Sequence, residues 1–184
     1  MNRTLKSVAA TVGVSLTFSA AIVVGSAGAT VNHASRSSHK ASKSGHIGTT
    51  IAISGAAGSK ANITLVKIVD PAHAASQFIS SPSGSRFVST EFRLVGSGSN
   101  LFASADSVLS VTITGSNNEI YKSVKSAAYS SNITGCKNLS QEKTAISHGQ
   151  SVTGCVNFTV PSGVTVSKVV YAEAGGTKGE WDAS

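Results

Sequence analysis

The sequence predicts an all-β fold, an antiparallel sandwich of about seven strands. Three observations point there. Short runs of alternating apolar and polar residues recur along most of the chain, each bounded by Gly, Ser or Asn. No window carries a sustained apolar period near 3.6 with helix caps. The stretch with this pattern, Ile47 to Ser184, has the length of one ordinary domain and can bury a proper core.

The elements follow in order. "IGTTIAIS" places Ile47, Thr49, Ile51 and Ile53 on one face, and "GAAGSKAN" turns the chain. "ITLVKIV" is a second strand, ending at Asp70-Pro71. Residues 72–84 read as a loop, with Phe78 and Ile79 tucked against the body. "RFVSTEFRLV" puts Val88, Thr90, Phe92 and Leu94 on one side, and "GSGSN" ends it. "SVLSVTIT" points Leu109, Val111 and Ile113 inward, and "GSNNE" closes a hairpin onto "IYKSV". From Lys125 to Ala145 the pattern dissolves, and a stretch of that length without a period is usually functional or pinned. "GQSVTGCVNFTVP" then sets Val152, Gly154, Val156, Phe158 and Val160 inward and Thr153, Cys155, Asn157 and Thr159 outward. "VSKVVYAEA" and "GEWDAS" complete the count, which is what an immunoglobulin-like sandwich needs.

The N-terminus is not expected to belong to this fold. Arg3 and Lys6 precede an uncharged apolar run to Val24, and "GSAGA" supplies small residues for cleavage after Ala29. Residues 1–29 therefore read as a secretory signal peptide. An uncleaved anchor is the alternative, weakened by the many Gly, Ala, Ser and Thr residues. Residues 30–46, "TVNHASRSSHKASKSGH", hold one large apolar residue and read as a disordered Ser/Lys/His tether. The domain is then 47–184.

This division reassigns the formal charge of +7. Arg3 and Lys6 lie in the signal, Arg36, Lys40 and Lys43 in the tether, and the domain itself is nearly neutral. A basic stripe on a folded surface is not formed, so no nucleic-acid partner is expected. After signal cleavage no membrane span is expected either.

An exported chain with two cysteines is expected to pair them. The spacing of Cys136 and Cys155 is not that of a Cys-x-x-Cys redox motif, and without clustered histidines the pair makes a poor zinc site. The disulfide would staple the outer face of the 149–161 strand to the patternless 125–145 stretch; free, reactive thiols are the alternative.

Signs of enzyme chemistry are weak. The domain has no Gly-x-Ser-x-Gly elbow, and the glycines of "GSGS" and "GAAGSK" read as turn residues, not phosphate loops. The carboxylates Asp70, Glu91, Asp106, Glu119, Glu142, Glu173, Glu180 and Asp182 are scattered, with nothing to mark a catalytic pair. His33, His39, His46, His73 and His148 form no ligand motif, so no metal or cofactor is expected. Asn62, Asn132, Asn138 and Asn157 head glycosylation triplets that a Ser/Thr-rich chain produces by chance. Tyr121, Tyr129, Tyr171 and Trp181 are the thin supply of aromatic platforms for sugar stacking.

The segments "KIVDPA", "PSGSRFVSTEFRLV", "HGQSVTGCVNFTVPSGVTVSKVVYAEAG" and "GEW" resemble a family of secreted bacterial β-sandwich domains of unknown function, related to the immunoprotective extracellular protein fold. The chain departs from that family in having Gly96 where Asn is common, which bears on the turn there. The resemblance implies an immunoglobulin-like fold and export, and no catalytic motif.

The sequence thus points to an exported, non-enzymatic binding module of the cell envelope or extracellular space, its partner an unidentified protein or polymer. Its candidate surface is the stretch from Ala127 to Ser147, with Tyr129, Lys137 and Lys143 as candidate contact residues. A secreted hydrolase with an unrecognised site, or a wall-anchored structural protein working through its basic tether, are the alternatives.

Overall fold

A computed structural model of the chain describes residues 42–74, 78–103, 111–124, 136–139, 145–173 and 176–184. The chain divides into two units, Met1–Ser37 and Ser38–Ser184. All elements named below belong to the second. The signal peptide and residues 30–41 of the tether lie outside the described residues.

Among the described residues there are eleven strands: β1 (Ser42–His46), β2 (Thr50–Ser54), β3 (Lys60–Ala72), β4 (Ser85–Gly96), β5 (Phe102–Ala103), β6 (Val111–Gly115), β7 (Ile120–Lys122), β8 (Ala145–Ile146), β9 (Ser151–Pro161), β10 (Val166–Ala172) and β11 (Lys178–Asp182). They form one sheet of order β1-β11-β10-β6-β7, a second of order β2-β3-β4-β9, and a small β5-β8 pair. The predicted sandwich is what the chain forms. All pairings between strands are antiparallel except β1 with β11.

The alternation read from the sequence builds the core. Ile53, Ile63, Leu65, Phe92, Leu94, Val156 and Phe158 enter it from the four-stranded sheet. Val111, Ile113, Val169, Tyr171 and Trp181 enter from the five-stranded one. Phe92 lies at the centre, edge-on to Tyr171 with ring centroids 5.7 Å apart and to Trp181 at 5.9 Å. Such edge-to-face pairs add about 0.5–1.5 kcal/mol to what burial contributes. The indole Nε1 donates to the Thr49 carbonyl at 2.8 Å, so the one polar atom of Trp181 is satisfied while its ring is buried. The ring lies over Gly179, where a Cβ would come within 2.9 Å of Cη2.

At one end of the sandwich Arg86 joins three segments. It grips Asp70 through Nε and Nη2, at 2.5 and 2.7 Å, and donates to the carbonyls of Pro161 and Val164. At the other end the chain turns at Gly96. A Cβ there would meet the Ser147 carbonyl oxygen at 2.2 Å, which explains glycine at this position. Gly96 donates to the Gln150 carbonyl and accepts from Gly149.

Four sequence readings are corrected. Residues 42–46 are not tether: they form β1, because β11 offers them an open edge to pair with. The first predicted strand is broken at 47–49 by a turn with Gly48 at φ 88°, so Ile47 and Thr49 are exposed and only Ile51 and Ile53 face the core. Phe78 is not tucked in; it is 88% exposed. The polar side of β9 is only partly open to solvent: Thr153 is exposed, but Cys155 and Asn157 are buried.

Candidate functional site

β9 is the last strand of the four-stranded sheet, and an unpaired edge of its length would invite other chains. Two segments close it. Val124 donates its backbone N–H to the Asn157 carbonyl at 2.8 Å. Cys155 donates to the Lys137 carbonyl at 2.7 Å, within a parallel bridge between Asn138 and Cys155. The chain is therefore bonded to β9 at Val124, opposite Asn157, and again at Lys137, opposite Cys155. These two positions are about 7 Å apart along a strand.

Side chains fix the returning segment on both faces. On the outer face Cys136 and Cys155 form the disulfide, with Cα atoms 5.8 Å apart, and no cysteine is free. On the inner face Leu139 is completely buried in the core. It fits because Gly154 has no side chain: a Cβ would lie 2.9 Å from the Leu139 Cδ1 and 3.0 Å from its Cα. Asn138 is also buried. The segment is thus an added half-strand with one covalent and one hydrophobic attachment.

Register carries a charged row up to the disulfide. Lys67, Glu91 and Cys155 are direct cross-strand neighbours on the outer face. Lys67 Nζ lies 3.2 Å from Glu91 Oε2. One carboxylate oxygen of Glu91 and the sulfurs of Cys136 and Cys155 all lie within 4.8 Å of one another. The next row is Thr64, Arg93 and Thr153, with Thr50 adding its hydroxyl to that of Thr64 at 2.8 Å.

Of the predicted contact residues, Lys137 is exposed and belongs to this edge through its carbonyl. Tyr129 and Lys143 lie outside the described residues, as do His33, His39, Asn132, Asp106 and Glu142. The aromatic candidates Tyr171 and Trp181 are core residues and cannot stack on a ligand from solvent. The amides of Asn138 and Asn157 are buried, which removes them as modification sites. Lys43, counted among the tether's cations, donates instead to the Ala52 carbonyl at 3.2 Å.

The described carboxylates are mostly engaged. Asp70 is held by Arg86, Glu91 by Lys67 and Glu119 by Tyr121 and Asn117. Glu180 pairs with Lys168 at 3.0 Å and is held below the ordinary carboxylate range, chiefly by that bond and also by Ser42. Missed by sequence reasoning were Leu139, Gly154 as its seat, and Glu91 as neighbour of the cysteines. The first carried no sequence signal beyond being an isolated apolar residue in a stretch without a period.

No family model matches the chain, and no curated protein does. The likeness is to solved structures. A secreted protein from Mycobacterium tuberculosis, MPT63, superposes with a TM-score of 0.52 at 14% identity, over 76% of this chain and 95% of that one. An uncharacterized β-sandwich protein from Clostridium difficile 630 gives 0.46 at 11%, over 79% and 96%. The yjhA protein from Bacillus subtilis gives 0.46 at 15%, over 70% and 79%. At these identities the likeness to MPT63 is one of fold, a two-sheet β-sandwich, and the resemblance to a secreted domain family remains a resemblance.

Proposed function

We propose that the chain is an exported, non-enzymatic binding module of the cell envelope or extracellular space, and that it binds through residues 127–147. The observation that carries this reading is the anchorage at β9. On either side of residues 125–135 the chain is bonded to one strand within two residues of it, and the disulfide fixes the second attachment. Recognition by a rigid scaffold's loops works in this way, because the ordering entropy of the feet is already lost before the partner arrives. An intramolecular disulfide supports an oxidising compartment. Among the described residues no helix is long and apolar enough to cross a membrane. A sandwich-fold neighbour that is itself secreted supports export of this chain.

The test is alanine replacement of Tyr129, Lys137 and Lys143 together, followed by capture of envelope fractions on the immobilised mature protein. Binding is expected to fall to background while the near-UV circular dichroism of the core is retained. Unchanged capture would retire this surface.

A further inference from the structure

The row Lys67, Glu91, Cys155 ends in a constellation that the disulfide conceals. β4 supplies Glu91, β9 supplies Cys155, and the half-strand alongside β9 supplies Cys136. Their ligand atoms already lie within 4.8 Å of one another. A tetrahedral zinc ion with Zn–S bonds of about 2.3 Å and Zn–O of about 2.1 Å needs donor separations of roughly 3.5–3.8 Å. Opening the S–S bond and letting Cys136, the half-exposed partner, relax by an ångström or two brings the three into that range.

Two backbone features favour the site. The register pair Glu91 and Cys155 is set by a long antiparallel ladder that does not depend on the disulfide. Cys136 is held near by the Cys155 N–H to Lys137 carbonyl bond and by Leu139, neither of which uses the S–S bond. Among the described residues no histidine belongs to the group, and Lys67 sits where it would compete with the metal for Glu91.

We propose that Glu91, Cys136 and Cys155 form a thiolate-carboxylate metal site when the disulfide is reduced, taking Zn²⁺ or a similar borderline-soft divalent ion with one coordination position open to solvent. The two cross-links are alternatives. A phosphine with water cleaves the S–S bond, becoming the phosphine oxide while the two protons of the water go to the sulfurs, or a dithiol does so by giving up its two protons and closing to its own disulfide; the metal then displaces both thiol protons as it binds the two thiolates. The same edge is then closed either covalently or by the ion.

The test uses the mature full-length protein, reduced with an excess of a phosphine under anaerobic conditions and titrated with Co²⁺, then Zn²⁺. The reduced protein should bind one equivalent of Co²⁺ with a near-ultraviolet thiolate-to-cobalt absorption that Zn²⁺ abolishes, and the oxidised protein should show none. Glu91→Gln should weaken binding on the order of tenfold or more. The Cys136→Ala, Cys155→Ala variant, which keeps every histidine, should lack the absorption. Binding without the thiolate band, equal binding by the oxidised protein, or an affinity untouched by Glu91→Gln would each overturn the assignment. If reduction alone loosens the fold, Zn²⁺ should restore the near-UV signal of the buried Trp181 in the wild type but not in Glu91→Gln. Failure to restore it would equally overturn the site.

Discussion

The two edges of the four-stranded sheet solve the same problem in different ways. At β2 the outward backbone groups are taken up singly. The Ala52 carbonyl accepts from Lys43, the Ser54 N–H donates to the Thr177 hydroxyl, and the Ser54 carbonyl accepts from the Thr177 N–H. At β9 two backbone segments lie against the strand, one of them secured by a disulfide and a buried leucine. The first arrangement only blocks strand addition. The second spends a covalent bond and a core position on holding a stretch of chain in place, more than edge protection requires. This asymmetry supports placing the proposed binding surface on the β9 side.

Substitutions at the two edges should separate blocking from holding. The largest effect is expected from Cys136→Ala with Cys155→Ala. A cross-link of sequence separation 19 contributes about 3 kcal/mol, mainly by restricting the unfolded chain. Urea unfolding under non-reducing conditions should show this as a lowered midpoint, and a midpoint within error of wild type would mean that Leu139 and the Cys155 N–H to Lys137 carbonyl bond hold the half-strand without the disulfide. Gly154→Val comes next. Its Cβ would lie 2.9 Å from the Leu139 Cδ1 and 3.0 Å from its Cα, so the added side chain must displace Leu139, at about 1–3 kcal/mol. Amide exchange should then speed up at Cys155 more than at the β4-facing positions of the strand.

At the β2 edge the effects are smaller. Thr177→Ala removes the hydroxyl that accepts from Ser54, worth about 0.5–1.5 kcal/mol, and should raise self-association as well as lower the melting temperature. Unaltered association would show that Lys43 and the Thr177 backbone suffice to block the edge. The smallest expected effect concerns β1, which lies next to β11. Glu180 is held below its ordinary value by Lys168 and Ser42, so its contribution is present above the unfolded carboxylate pKa and is lost as pH falls through the folded one. Thermal melts of Glu180→Gln should therefore be lower than wild type at neutral pH and converge with it in acid. Parallel curves would remove the Lys168–Glu180 pair from the account.

Much of this architecture is legible in the sequence, for a physical reason. A half-buried strand must alternate, so "RFVSTEFRLV", "VTIT" and "VSKVVYA" announce both their conformation and their inward faces. Where burial comes from outside the alternation, the signal fails. Cys155 and Asn157 alternate as outer-face residues but are buried all the same. Leu139 reaches the core from a segment with no period, and Gly154 seems an ordinary strand residue until Leu139 is seen above it. β1 was hidden because "SKSGH" has no apolar face: its strand conformation comes from the neighbouring β11, through backbone bonds that any side chains permit. The pairing of the two cysteines could be argued from export, but their nearness to Glu91 depends on register between strands far apart in the chain.

The central claim, that the β9 edge exists to present the chain between Val124 and Cys136, is tested most directly by replacing residues 127–135 with a Gly/Ser linker of equal length while keeping Cys136. Retention of the mature protein by its own envelope fraction should be measured beside its thermal midpoint. The account predicts that retention falls to background with the midpoint within about 2 °C of wild type, since sub-kcal/mol changes shift it little. Full retention by the replaced protein would contradict it.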